Sequence, residues 1–130
     1  MLILTPFTKA LKSLEIALKA PESDMSRDSS IQRFEYTFEL SIKMLRRYLE
    51  LSADTTTSVD ELAYRELIRI GAEKGCILHP KAWFKYRDAR NITSHAYDIK
   101  KAKKIYRALP AFAKDARTLH DALIERIAKV

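Results

Sequence analysis

From Ile31 to Leu49 the apolar residues recur at helical spacing on two sides at once: Ile31, Phe34, Phe38, Ile42, Leu45 and Leu49 form one stripe, and Tyr36, Leu40, Met44 and Tyr48 another. A helix apolar on two sides needs cover on both, as at the centre of a bundle or in an oligomer interface. Between the stripes runs a polar strip of Gln32, Glu35, Glu39, Lys43 and Arg46, in which Glu39 and Lys43 are spaced to pair along the helix. With two glycines, Gly71 and Gly75, in 130 residues, the chain lacks material for the tight turns of a many-stranded sheet. The expectation is an all-α fold in a single domain over residues 1–130.

Other helices can be placed around this one. Thr5-Pro6 reads as a cap followed by proline in the first turn, opening a helix that carries Phe7, Leu11, Leu14 and Leu18 and stops at Ala20-Pro21. The polar segment from Glu22 to Ser30, ending in the cap-type residues Asp28, Ser29 and Ser30, reads as a loop before the long helix. After an Ala53 to Thr57 linker, Ser58-Val59-Asp60-Glu61 is a capping box for a third helix that ends around Gly71 to Gly75. His79-Pro80 starts a fourth, with Trp83, Tyr86 and Arg90 on successive turns. Asp98 caps a fifth, which Pro110 should kink or restart before a last stripe of Phe112, Ala116, Leu119, Leu123 and Ile127.

Charge and composition narrow the chemistry. A net charge of +7 attracts phosphate polymers or an acidic protein without choosing between them. The scarcity of glycine removes the phosphate loops, the dinucleotide fingerprint and the G-x-S-x-G elbow. His79, His95 and His120 are scattered and lack partners at ligand spacing, so no metal and no other cofactor is expected. Cys76, the single cysteine, reads as a small buried hydrophobe and points to no oxidising compartment. The apolar start Met1-Leu2-Ile3-Leu4 lacks the basic flank and length of a leader, and no run is long enough to span a membrane, so a cytoplasmic protein is expected.

One stretch remains rich in chemistry, Arg87 through Asp98. On a straight helix Arg90 and His95 would point about 140° apart. Asn91, Thr93 and Ser94 favour caps and turns, so a helix should end near Arg90 and another begin just after His95. An imidazole can take the proton of a ribose 2′-hydroxyl, and an arginine can brace a phosphate as charge develops on it. By residue type alone, a structural histidine beside an ion-paired arginine is the commoner arrangement, and binding of nucleic acid by charge alone is a third reading.

Arg90-Asn91-Ile92-Thr93-Ser94-His95 resembles the R-x4-6-H motif of the HEPN superfamily, and the following Ala96-Tyr97 extends it to the R-x4-H-x-Y form of proteins encoded beside minimal nucleotidyltransferases. The block from Ile31 to Leu40 is similar to the second-helix signature of the bacterial nucleotidyltransferase substrate-binding proteins. The resemblance implies an antiparallel bundle of about five to six helices that forms a homodimer or higher homo-oligomer, bringing the motifs of two chains into one cleft. It implies a separate nucleotidyltransferase chain as partner and RNA or a nucleotide as ligand. It also implies a toxin–antitoxin role as a metal-independent endoribonuclease, with Arg90 and His95 as catalytic residues, Asn91 supporting them and Tyr97 as an AMP acceptor; Arg87 and Ser94, in the same stretch, are the candidate binding residues. The alternative is a non-catalytic subunit that binds nucleotide or substrate for the transferase.

Overall fold

The structure is a computed structural model that describes residues 2–52 and 63–128. Among these, five α-helices follow in order: α1 Thr5–Ala17, α2 Asp24–Ser52, α3 Tyr64–Glu73, α4 Pro80–Asn91 and α5 Ile99–Ala128, with a 3₁₀ turn at Thr93–His95. There is no strand among the described residues. The Ala53 to Thr57 linker and the Ser58 to Glu61 capping box lie outside them.

The long helix starts seven residues before Ile31. The Ser23 and Ser26 side chains make a reciprocal cap: Ser23 Oγ accepts from the Ser26 N–H at 3.0 Å and Ser26 Oγ accepts from the Ser23 N–H at 2.8 Å. A closed pair of this kind satisfies two of the four orphan donors and outcompetes Asp28, Ser29 and Ser30, which are helical interior residues rather than a loop. Arg27 strengthens the turn by reaching back to Glu22 and Asp24, each at 2.9 Å. At α1 the cap position falls to Leu4, and Thr5 is already helical. Burial of Leu2 and Leu4, not a hydroxyl cap, fixes that start.

α2 lies against α1 on one side and α5 on the other. Its first stripe is buried except for Ile42, which is half-buried; of the second, Met44 is buried, Leu40 and Tyr48 pack at the edge, and Tyr36 is exposed. Where α2, α4 and α5 meet, Phe112 sits within 5.0 to 6.1 Å, ring centre to ring centre, of Phe34, Phe38, Trp83 and Tyr86. α1 and α5 run antiparallel, since Thr8 Oγ1 meets His120 Nε2 at 2.7 Å while Glu15 meets Arg117 at 2.5 Å. α4 is pinned to α5 by Asp115, which takes a 2.5 Å hydrogen bond from the Tyr86 hydroxyl and bonds His79 Nδ1 at 2.8 Å.

α3 ends at Glu73, and Gly75 follows with φ of 80°, the left-handed conformation in which glycine carries no steric penalty. Gly71 is needed for a different reason: a Cβ there would lie 2.9 Å from Cγ1 of Ile77 and 3.2 Å from a methyl of Leu45. Pro110 neither ends nor restarts the last helix, which continues through it as one element. The proline is exposed, so its missing donor falls on the outer face, while Leu109, Phe112 and Ala113 keep the inner face closed.

The serine cap makes a quantitative expectation. Ser23→Ala should lower stability by about 1 kcal/mol in urea unfolding. Asp28→Ala, at an exposed interior position, should change it by less than about 0.5 kcal/mol.

Candidate functional site

α4 delivers the site. Trp83 and Tyr86 face the core, fixing the rotation of the helix, and Arg90 follows one turn after Tyr86 on nearly the same side. It therefore leaves the end of the core against α2. There its Nη2 pairs with Glu39, and Nη1 donates to Thr93 Oγ1 at 3.3 Å. Glu39 bonds across helices to Arg90 instead of serving Lys43 along its own helix. The Nε–H of Arg90 is enclosed and has no hydrogen-bond partner among the described residues. Thr93 closes the corner by donating to the Arg90 carbonyl at 2.8 Å.

Past Asn91 the α-helix gives way to the 3₁₀ turn, as the run of cap-type residues requires, and Asp98 restarts the chain as a helix. Its Oδ1 accepts the Lys100 and Lys101 N–H groups at 2.9 and 3.3 Å. His95 and Ser94 are exposed on the turn, and Tyr97 is 86% exposed with its ring 6.1 Å from that of His95.

Arg87, Arg90 and Asn91 line a groove of about 710 Å³ between α2, α3 and α4. Its rim adds Lys43, Arg46 and Arg47 from α2, and its floor is Phe38, Ile42 and Tyr64. Five cationic side chains face two carboxylates, Glu39 and Glu50, so the groove favours an anion. The Arg87 guanidinium lies 4.6 Å from the Tyr64 ring centre, a cation stacked on an aromatic face. Burial pushes the Tyr64 hydroxyl well above the usual range, keeping it a donor, and it bonds the Trp83 carbonyl at 2.7 Å. Tyr97 lines a separate depression of about 280 Å³ with Gln32 and Glu35. His95 and Ser94 line neither.

So one chain gathers Arg87, Arg90 and Asn91 and leaves Ser94, His95 and Tyr97 outside the groove. Glu39 as the partner of Arg90, and Lys43, Arg46, Arg47 and Tyr64 as groove residues, were not singled out by the motif; the polar strip of α2 is the sequence signal that leads to most of them. Burial raises the Cys76 thiol and leaves it a core residue. No group of three or more histidine, cysteine or acidic residues among the described residues could hold a metal. No helix among them is long and apolar enough to cross a membrane.

Comparisons with known proteins agree on one relationship. The sequence profile of the nucleotidyltransferase substrate binding protein like family matches residues 2–125. A probable ribonuclease HepT of Haemophilus influenzae is 36% identical over 97 residues, 75% of this chain and 66% of that protein. The match thus spans just under two thirds of the relative's length. A Haemophilus influenzae structure described as the fold of a substrate binding domain of a nucleotidyltransferase superposes with a TM-score of 0.85 at 31% identity, over 93% of this chain and 98% of that one. A crystal structure from Thermus thermophilus follows with a TM-score of 0.76 at 30% identity, over 90% and 98%.

The Glu39 carboxylate occupies the guanidinium that an incoming anion would need. Glu39→Gln should tighten binding of inorganic phosphate or pyrophosphate several-fold in titration calorimetry. Stability should change by less than about 1 kcal/mol, because the Glu39 side chain is largely exposed.

Proposed function

The chain belongs to the nucleotidyltransferase substrate binding protein like family, and from that premise we propose that it is the partner subunit of a minimal nucleotidyltransferase on a separate chain and the ribonuclease toxin of a toxin–antitoxin pair. The observation that carries the reading is Arg90: a guanidinium lining a cationic groove suits a phosphodiester. The name of the 36% identical relative, a probable ribonuclease, supports the same activity.

In this mechanism His95 takes the proton of a ribose 2′-hydroxyl, and the oxygen attacks the adjacent phosphorus. The bond to the 5′-oxygen breaks, leaving a 2′,3′-cyclic phosphate, and the leaving oxygen takes up a proton from solvent. Arg90 stabilises the charge on the phosphoryl oxygens, Asn91 at the end of α4 supports it, and Arg87 and Ser94 bind the strand. No metal or cofactor enters. Because His95 is exposed outside the groove that Arg90 lines, the working site is a cleft between two copies in a homodimer, each contributing its motif. A cytoplasmic location suits such a subunit.

Purified protein should cleave RNA in the presence of EDTA. Arg90→Ala and His95→Ala should each slow cleavage by about a hundredfold or more with an unchanged melting temperature. Parent-like cleavage by either variant overturns the roles assigned to them.

A second reading draws on the groove floor. Phe38, Ile42 and Tyr64 beneath a cationic rim suit a nucleotide, with its base on the apolar surface and its phosphates on the arginines, which is what a non-catalytic subunit presenting substrate to the transferase needs. Nucleotide affinity in a parent protein that leaves RNA intact selects this reading.

Tyr97 is accessible to a partner enzyme at 86% exposure. As AMP acceptor, its hydroxyl oxygen attacks the α-phosphorus of ATP, pyrophosphate departs and the phenol proton is lost. Incubation with the nucleotidyltransferase and ATP should add the mass of an AMP group, and Tyr97→Phe should abolish the addition.

A further inference from the structure

α5 begins two residues after Tyr97, and its first half carries only one sign of charge: between Ile99 and Lys114 there are Lys100, Lys101, Lys103, Lys104, Arg107 and Lys114, and no aspartate or glutamate. At about 100° per residue, Lys100, Lys103, Lys104, Arg107 and Lys114 fall within about 60° of one line, opposite the buried face of Ala102, Ile105, Leu109, Phe112 and Ala116. All five are exposed. They make a straight outward ridge that begins beside the motif and runs for about 21 Å.

Elsewhere the described arginines commonly find acids: Arg27 pairs with Glu22 and Asp24, Arg69 with Glu66 and Glu73, and Arg117 with Glu15. Among the described residues the ridge side chains form no ion pair; Arg107 turns to the Lys103 carbonyl at 3.2 Å. The acid at this end of the helix, Asp98, is engaged in capping, and Asp88 shares a depression with both Lys85 and Lys104, which leaves cations in surplus.

The arrangement weakens the helix it sits on. Lys100 with Lys104 and Lys103 with Arg107 are like charges one turn apart, and four lysines crowd the positive end of the helix dipole. A merely solvated face would mix signs, as the second half of α5 does with Arg117, Asp121, Glu125 and Arg126. A protein-docking face would carry apolar or aromatic anchors, whereas lysine is depleted from such interfaces. A flexible chain of phosphates fits what is present.

We propose that the α5 ridge is a backbone track for single-stranded RNA, holding through its phosphates the part of the strand that extends beyond the Arg90 and His95 site. This rests on RNA being the ligand of that site, and it adds where the rest of the strand lies. The track acts on capture, not on the bond-breaking step.

The test compares the parent with a quadruple variant, Lys100→Gln, Lys103→Gln, Lys104→Gln and Arg107→Gln. Binding of a labelled twenty-nucleotide single-stranded RNA is followed by fluorescence anisotropy across a salt series. The variant should bind at least about tenfold more weakly at low salt, and its slope of log affinity against log salt should be shallower by about two to three. Its KM for long RNA should rise while kcat and the cleavage of a tetranucleotide stay at parent values. Unchanged affinity and slope overturn the track. A variant that keeps RNA affinity but no longer co-purifies with the nucleotidyltransferase also overturns it, and assigns the ridge to protein docking. Ridge-dependent binding by a parent that cuts nothing leaves the track standing and removes the nuclease reading; cleavage with ridge-independent binding does the reverse.

Discussion

The Phe112 ring, enclosed by Phe34, Phe38, Trp83 and Tyr86, is where three helices lock to one another, and the geometry of the site descends from it. An aromatic cluster of this kind has directional preferences as well as area, so it sets the rotation of each helix about its own axis. Once Trp83 and Tyr86 are turned inward, Arg87 and Arg90 have to emerge toward α2. Asp115 reinforces the setting by bonding both Tyr86 and His79, one turn away from Phe112 on α5. Burial and that hydrogen bond raise the Tyr86 hydroxyl above its ordinary range and keep it a donor.

The family relationship and the helical fold were legible before any coordinates, because two-sided apolar periodicity, glycine scarcity and two motif blocks all point the same way. The break between α4 and α5 was legible as well, since Asn91, Thr93 and Ser94 suit a turn better than a helix interior. Other features were not. A serine pair such as Ser23 and Ser26 is chemically close to the Asp28 to Ser30 run, and only the closed hydrogen-bond geometry separates them. Pro110 reads as a breaker from sequence, yet tertiary packing on the opposite face of α5 carries the helix through it.

Within the site, the sequence named the arginine but not its partner. Glu39 is fifty-one residues away from Arg90, and its spacing to Lys43 offered a local pairing that the fold does not use. Long-range ion pairs leave no periodic trace, so the cross-helix contact needed the bundle to reveal it. The same holds for the groove, whose cationic rim comes from α2 and α4 and whose floor includes Tyr64 of α3. Arg90 lines this groove while His95 is exposed outside it.

The 3₁₀ turn has a consequence for how this chain can vary. It is held at one side by Thr93 on the Arg90 carbonyl and at the other by Asp98 on the first amides of α5. A residue inserted or deleted between them would advance or retard α5 by about 100°, tipping its apolar face away from α2 and α4. A change in the number of residues from Arg90 to Asp98 therefore has to be taken up inside the turn itself if α5 is to keep its seat.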